Sequence, residues 1–189
     1  MNHQGTQTII TERLILRPFV VADAEGMYHN WASDPEVTKF LSWQPHVSAG
    51  ATAQLLSDWT SHYTELTYYN WAMELKEERE VVGSLGVVRQ DERTQSMEIG
   101  YCIGKKWWNR GLTTEALTAV VAFLFEEVAV NRIELHHDTN NPASGRVMAK
   151  SGLTLEGTHR RAGINNQGIC DLAVYAILAE DYRAGKAEA

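Results

Sequence analysis

The chain has 189 residues, of which 44% are hydrophobic and 22% are charged, as is usual for a globular protein large enough to bury one core. A formal net charge of -7 disfavours a non-specific nucleic-acid binder, because phosphate contacts draw on basic patches. The sequence shows no run of about 18 apolar residues and no secretory leader. We therefore expect a single domain over residues 1–189, located in the cytoplasm, without a membrane span.

The two cysteines, Cys102 and Cys170, are too few and too far apart for a zinc ligand set or a Cys-x-x-Cys redox pair. We interpret both as buried thiols and expect no metal ion. A nucleophilic role for Cys102 is disfavoured, because no His/Asp partner pattern surrounds it.

The first third of the chain combines one strand with two helices. A strand is predicted from Thr11 to Arg17 and is ended by Pro18. A helix is predicted from Val21 to Asp34 and is ended by the proline that follows. A second helix begins near Ser48, because its apolar residues recur at the spacing of one helix face.

Three strands follow, at Tyr69–Lys76, Val81–Arg89 and Ser96–Ile103, and the short polar links between them predict an antiparallel meander. Thr113–Val128 is the clearest helix, since its wide apolar stripe must pack on a sheet. A further strand is predicted at Arg132–Asp138.

The remaining elements are a short helix and two strands. Asn141 as N-cap and Pro142 in the first turn mark the start of the helix, and Gly152 marks its end. Strands at about Thr154–Arg161 and Ile169–Leu178 flank the turn-rich INNQG. The element order predicts an α+β domain, an α/β three-layer sandwich, with a mixed, mostly antiparallel sheet of about seven strands and about four helices.

The segment GYCIGKKWWNRGLTTEAL joins a strand to the long helix through a basic, glycine-containing turn. Such a turn can bind phosphate, because the free N–H groups and the dipole of a helix N-terminus attract anions. Gly111 allows close approach of a ligand, and Lys105, Lys106 and Arg110 add positive charge. Neither a P-loop nor a Rossmann pattern is present. From this segment alone, a basic surface turn before a helix is an equal alternative.

Three segments resemble the GNAT acetyltransferases, and more narrowly the RimJ/RimL-like group of ribosomal-protein N-terminal acetyltransferases. They are WWNRGLTTEAL, NNPASGRVMAKSGLTLEG and TERLILRPFVVADAEGMYHNWASDPEV. The resemblance implies the GNAT fold, acetyl-CoA as co-substrate and direct acetyl transfer to a primary amine. The chain departs from the family at Thr113, where the loop usually ends in a smaller residue. It departs again at Met148, where many members place a tyrosine that protonates the leaving thiolate.

The resemblance also assigns a coenzyme site. It implies that the strand ending in Tyr101, Cys102 and Ile103 splays from its neighbour and holds the pantetheine arm and thioester carbonyl through backbone groups. The N–H groups that would hold the pyrophosphate belong to Asn109, Arg110, Gly111, Leu112, Thr113 and Thr114. The side chain of Arg110 is a further phosphate contact in this interpretation, and Asn141 contacts the coenzyme arm as well as capping its helix.

Two residues are candidates for proton transfer. Ser144 lies one helical turn after Asn141 on the same face, so it can protonate the departing thiolate or donate a hydrogen bond to it; a solvated helix serine is the alternative. Glu98, on the strand entering the site, is the candidate base for the amine, and a structural carboxylate is the alternative. Three histidines remain further candidates for the base, namely His136, His137 and His159.

The acceptor amine stays open between a protein N-terminus and a small molecule. An aminoglycoside-type drug acetyltransferase is compatible with the net charge, although no carboxylate cluster in the pocket segments requires it. A non-catalytic acetyl-CoA-binding module is the alternative from another class, suggested by the missing tyrosine. Trp31, Trp43 and Trp71 lie in the half that forms the acceptor pocket in relatives. We expect no nucleic-acid or membrane partner and leave a homodimer open.

Overall fold

The computed structural model describes residues 1–187, which form one eight-stranded sheet and six α-helices. The strands are β1 (Ile9–Ile10), β2 (Leu14–Arg17), β3 (Asn70–Leu75), β4 (Glu80–Asp91), β5 (Ser96–Ile103), β6 (Arg132–Asp138), β7 (Thr154–Asn165) and β8 (Gly168–Leu178). The helices are α1 (Ala24–Met27), α2 (Pro35–Thr38), α3 (Ala49–Ser61), α4 (Leu112–Glu126), α5 (Pro142–Lys150) and α6 (Ala179–Ala187).

The strands are ordered β1-β2-β3-β4-β5-β6-β8-β7 across the sheet. Neighbours pair antiparallel except β5 and β6, which are parallel. Parallel strands need a crossover connection, and α4 supplies it by running back over the sheet between β5 and β6. The predicted α+β class with a mixed, mostly antiparallel sheet is therefore confirmed, with slightly more strands and helices than expected.

Helices cover both faces of the sheet because side chains alternate along each strand. On β3, Trp71 and Met73 lie in the larger core, against the apolar face of α4. Ala72, between them, lies in a smaller core with Trp31 and with Leu56 of α3. Two apolar layers on opposite faces give the three-layer arrangement that the sequence predicts.

The predicted helix Val21–Asp34 is correct in position but not regular. A 3₁₀ turn at Val21–Asp23 leads into α1, and a π-helical turn at Tyr28–Ala32 follows. The backbone N–H of Ser33 donates to the carbonyl of Tyr28 at 3.1 Å, and its hydroxyl donates to the same carbonyl at 2.8 Å. This double contact holds the wider turn, which the apolar spacing alone does not reveal.

Three elements were not predicted: β1, α2 and α6. The strand β1 has only two residues, and α6 follows β8 directly without a cap or breaker in the sequence. The aromatic ring of Tyr182 on α6 stacks on Phe125 of α4, with ring centroids 4.9 Å apart. The predicted strand Thr154–Arg161 continues to Asn165, so the turn between β7 and β8 shrinks to Asn166 and Gln167.

The helices and the metal-ligating side chains of residues 1–187 show the following. None of the helices among these residues combines the length and apolar character that crossing a membrane requires. In the same part of the chain, no three His, Cys, Asp or Glu side chains are grouped in a way that could hold a metal ion.

Gly104, which follows β5, should tolerate no side chain. A Cβ atom there would lie 2.4 Å from the carbonyl oxygen of Asn30 and 2.7 Å from the ring of Trp107. We expect Gly104→Ala to lower the free energy of unfolding by about 1–3 kcal/mol, because the clash is with backbone. Urea denaturation measures this. Gly157→Ala on β7 is the matched control, since nothing lies within 4 Å of its Cβ position; equal unfolding midpoints for the two variants would contradict the prediction.

Candidate active site

The central feature of the site is a gap between β5 and β6. The two strands pair over three residues each, Ser96–Glu98 of β5 with Arg132–Glu134 of β6. Beyond these residues β5 and β6 are no longer hydrogen-bonded to each other. On its far edge β5 stays paired with β4, and the N–H of Gly104 donates to Val82 at 2.8 Å. The carbonyl of Ile103 belongs to the same trans peptide and therefore points the opposite way, into the gap. The splaying that the resemblance implied is thus present.

The side chains of Tyr101 and Cys102 are held in neutral forms. The Tyr101 hydroxyl donates to the carbonyl of Ser144 at 3.0 Å, which ties β5 to α5 across the gap. Burial raises the pKa of Tyr101 above its ordinary value. The Cys102 thiol lies 3.3 Å from the Ser84 hydroxyl, and burial raises its pKa to about 11. A thiol of this pKa is protonated at neutral pH, so Cys102 is a poor nucleophile.

The loop from Gly104 to Gly111 places the start of α4 beside the open end of the gap. Asn109 and Gly111 have positive φ angles of 60° and 76°, and the tight turn they make requires the freedom of glycine at the second position. The first intrahelical bond runs from the N–H of Glu115 to the carbonyl of Gly111 at 3.0 Å. The N–H groups of Leu112, Thr113 and Thr114 precede it and have no intrahelical acceptor, so they form an anion-binding end.

Two of the three basic side chains of this loop, those of Lys106 and Arg110, are directed to an acidic partner on the β3–β4 turn. Lys106, the Trp107 indole N–H and Arg110 all donate to the carboxylate of Glu78, at 2.8, 3.2 and 3.2 Å. Arg110 is therefore an ion-pair partner of Glu78 in this structure, and its side chain does not line the cleft as the sequence interpretation suggested. Anion binding at this loop falls to the backbone.

The start of α4 is also bound by the connection between β1 and β2. Glu115 accepts hydrogen bonds from the Thr11 hydroxyl at 2.6 Å, from the Arg13 N–H at 2.7 Å and from the Arg13 Nε at 2.7 Å. The Nη1 of Arg13 donates to the carbonyl of Arg110 at 2.8 Å. Burial would raise the pKa of Glu115, but these hydrogen bonds outweigh it and lower the pKa below its ordinary value.

Helix α5 forms the opposite wall of the gap. Asn141 occupies the N-cap position, yet its side chain makes no capping bond; its Nδ2 donates to the Ser144 hydroxyl oxygen at 3.1 Å. Asn141 and Ser144 therefore point to the same place, as their spacing predicted. Met148 is 2% exposed and packs in the larger core, so it does not replace the absent tyrosine.

These elements enclose a cleft of about 490 Å³. Of the residues that sequence interpretation proposed, those lining it are Tyr101, Cys102, Ile103, Asn109, Gly111, Leu112, Thr113, Thr114, Asn141 and Ser144. The residues not foreseen include Trp108, whose indole N–H donates to the Ile103 carbonyl at 2.9 Å, and the cations Arg146 and Lys150. The spacing of four between these two cations on α5 could have indicated a shared basic face.

Glu98 is not in this cleft. Its neighbours Met97 and Ile99 lie in the larger core, so Glu98 faces the other side of the sheet. It lines a separate cavity of about 840 Å³. The Nε of Arg89 lies 3.0 Å from one carboxylate oxygen of Glu98, and the Nδ1 of His136 lies 3.4 Å from the other.

The three histidines also lie on different faces. His136 and His159 line the cavity that contains Glu98. His137 lies beneath α5, where its Nδ1 is 2.7 Å from the carbonyl of Asp138. That carbonyl can only accept, so Nδ1 carries the proton. The other ring nitrogen is buried and has no hydrogen-bond partner among residues 1–187.

The tryptophans of the amino-terminal half are mainly structural. Trp31 and Trp71 are fully buried, so they cannot line an acceptor slot. Trp43 is half-buried beside the smaller core, with its ring centroid 5.3 Å from that of His46. The wall of the cleft on this side comes instead from Glu36, Val37, Phe40 and Leu41.

The chain is similar to known proteins in sequence and in fold. The sequence pattern of the acetyltransferase (GNAT) domain matches residues 13–154. The uncharacterised N-acetyltransferase YoaA of Bacillus subtilis is 29% identical over 89% of this chain and 94% of its own. The ribosomal-protein uS5-alanine N-acetyltransferase of Escherichia coli is 26% identical over 79% of each chain. The ribosomal-protein acetyltransferase RimL, solved with coenzyme A, superposes with a TM-score of 0.81 at 18% identity over 91% of this chain and 98% of its own.

The gap between parallel strands, beside a helix start with free N–H groups, is the frame of an acyl-group transferase. With the domain pattern matching most of its length, the chain belongs to the GNAT acetyltransferase family. It has the GNAT fold and is an enzyme that transfers an acetyl group to an amine.

The hydrogen bonds to Glu115 give a pH-dependent contribution to stability. Because its pKa is lowered from 4.5 in the folded protein, the contribution is complete above pH 4.5 and is lost as pH falls through the lower folded value. We expect Glu115→Gln to cost about 1–2 kcal/mol at pH 7. The difference in unfolding free energy between wild type and variant should shrink below pH 4.5. Urea unfolding at pH 7 and at pH 3 measures this difference. A difference that stays constant down to pH 3 would contradict the assignment.

Proposed function

We propose that this enzyme transfers the acetyl group of acetyl-CoA directly to the α-amine of a protein N-terminus. One observation carries the proposal: the unpaired edge of β5 and the free N–H groups at the start of α4 open into a single cleft. A thioester on a long, phosphate-bearing arm fits such a cleft, since one end offers anion binding and the other offers backbone amide and carbonyl groups.

The cleft offers separate groups to each part of the coenzyme. The N–H groups from Gly111 to Thr114 would hold the pyrophosphate, with Arg146 and Lys150 adding positive charge to the cleft wall. The gap-facing backbone of Tyr101 and Ile103 would hold the pantetheine amides and the thioester carbonyl. Because backbone groups make these contacts, Thr113 can stand where the family has a smaller residue. Its side chain is buried, and only its N–H is required.

Ser144 is our candidate for stabilising the departing thiolate. The Asn141 amide donates to the Ser144 hydroxyl oxygen, so the serine's own hydrogen is free to be donated elsewhere. A bond of this kind to Asn141 also polarises the hydroxyl, which strengthens it as a donor. Met148 cannot contribute because it is apolar and buried.

Glu98 is our candidate for accepting the proton of the amine. It lies on the sheet face opposite α4, so the amine would approach from the cavity of about 840 Å³ while acetyl-CoA occupies the cleft. The proton would pass to the Glu98 carboxylate directly or through one water. Arg89 and His136 contact the two carboxylate oxygens of Glu98 and fix its orientation in the cavity. His136 lines the same cavity and is the second candidate for this role.

The charge of the cavity bears on the class of acceptor. Its wall combines Glu98, Glu134 and Glu156 with Arg89 and Arg132, and the carboxylates are paired with the arginines. A polycationic aminoglycoside needs unpaired carboxylates, so this wall does not favour it. A chain end with one ammonium group and polar backbone is better matched. The uS5-alanine enzyme among the relatives supports the same class.

The deciding experiment is the release of free thiol from acetyl-CoA in the presence of different amines. We expect turnover with peptides that carry ribosomal-protein N-termini and little with aminoglycosides or polyamines. Gly111→Val should abolish it, because a β-branched residue disfavours the positive φ of 76° that shapes the turn. Gly168→Val is the matched control, since Gly168 also has positive φ but is the first residue of β8 and does not line the cleft. Turnover only with small amines would refute the acceptor class, and a fully active Gly111→Val would refute the phosphate site.

Ser144→Ala should separate catalysis from binding. Its hydrogen bond strengthens as charge builds on sulfur, so its loss should lower kcat about tenfold or more while leaving the Kd for acetyl-CoA nearly unchanged. Steady-state kinetics and calorimetric titration provide the two values. Weaker binding with unchanged kcat would make Ser144 a coenzyme-positioning residue, and no change in either would make it a solvated helix serine.

A further inference from the structure

Arg13 connects two parts of the chain that are distant in sequence. It lies between β1 and β2, and its side chain crosses to the loop that precedes α4. Its backbone N–H and Nε both donate to Glu115, and its Nη1 donates to the carbonyl of Arg110. One guanidinium therefore holds both the first turn of α4 and the peptide unit just before it.

The contact with the Arg110 carbonyl fixes the direction of an N–H group. In a trans peptide the C=O and the next N–H point in opposite directions. Arg13 holds the carbonyl of Arg110 on its own side, so the N–H of Gly111 points away from Arg13. Gly111 lines the cleft, and its Cβ position lies 3.5 Å from the Nη2 of Arg13. The guanidinium is thus packed directly behind the turn.

We propose that Arg13 is a positioning residue for the coenzyme pyrophosphate, acting through the Arg110–Gly111 peptide and Glu115. This inference rests on the proposed function, since it assigns a role to a residue behind the same phosphate-binding loop. Arg13 differs from an ordinary phosphate-binding arginine because Glu115 and the Arg110 carbonyl already engage its Nε and Nη1. It organises the backbone donors and leaves the phosphate contacts to them.

A lysine at this position could not do the same. Its single ammonium group lacks the planar fork that lets a guanidinium bond to a carboxylate on one edge and a carbonyl on another. Arg13→Lys keeps the charge and loses this geometry, whereas Arg13→Met loses both. Glu115→Gln keeps the shape of the partner and removes its charge. The three variants separate charge from geometry.

The test compares two acetyl donors. Acetyl-CoA carries the pyrophosphate, and acetyl-pantetheine lacks it but keeps the thioester. We expect Arg13→Met to raise both the KM and the calorimetric Kd for acetyl-CoA by about tenfold or more, with kcat at saturation retained. The value of kcat/KM for acetyl-pantetheine should be unchanged. Arg13→Lys and Glu115→Gln should show the same pattern with smaller losses.

Glu126→Gln is the matched control. Glu126 lies at the other end of α4, and its carboxylate likewise accepts from two side chains, Tyr182 and Lys186. This variant should leave the kinetics of both donors unchanged.

Two outcomes would overturn the inference. Equal losses with both donors would show that Arg13 supports the fold in general. Wild-type KM and Kd in a folded Arg13→Met would show that the loop holds its shape alone. If Arg13→Met does not fold, Arg13→Lys and Glu115→Gln decide by the same comparison. Failure of the proposed function is seen separately, as a wild-type enzyme that neither binds nor cleaves acetyl-CoA.

Discussion

The end of pairing between β5 and β6, after Glu98 and Glu134, is the constraint on which the rest of the structure depends. Beyond that point, alternate residues of each strand direct a backbone donor and acceptor into the gap, and these must find a partner or meet solvent. On β5 the outer edge is satisfied by β4, and part of the inner edge is satisfied by the Trp108 indole. The remaining backbone N–H and C=O groups on the inner edge of β5 form a row of polar groups, and the rest of the sheet holds them in place.

A site made of backbone groups explains how the side chains around it are used. Two of the three basic side chains of the phosphate loop are bonded to Glu78, and Arg13 is bonded to Glu115 and a carbonyl. They shape the loop without occupying the cleft. Apart from Gly111, such an arrangement tolerates sequence change at the ligand-facing positions, since any residue except proline supplies an N–H. It demands specific side chains one layer behind.

Much of the fold and part of the site could be predicted from local patterns. The strand, basic turn and helix around Gly111 are contiguous in sequence, and Asn141 and Ser144 share a helix face through their spacing. The irregular turn at Tyr28–Ala32 could not be predicted, because the apolar spacing of a π turn differs little from that of an α-helix. The helix α6 begins directly after β8 without a capping residue, and it packs on α4.

The position of Glu98 shows a different limit. Alternation along β5 puts Glu98 opposite Met97 and Ile99, which the sequence does reveal. Which face α4 covers depends on the handedness of the crossover and on the order of the whole sheet. Arg13 and Trp108 were missed for a related reason: their partners are fixed only by tertiary structure, and nothing in their immediate sequence separates them from surface residues.

The turn between β7 and β8 reaches across to the amino-terminal segment through a single residue. The side-chain amide of Asn166 donates to the carbonyls of Thr38 and Trp43, and its backbone N–H donates to Leu41. The partners are 128 and 123 positions away in sequence. Neither the β7–β8 turn nor the segment 38–43 can therefore open without removing hydrogen bonds from the other, which couples their local unfolding. Hydrogen exchange at the backbone amide of Asn166 reports on the opening of either segment.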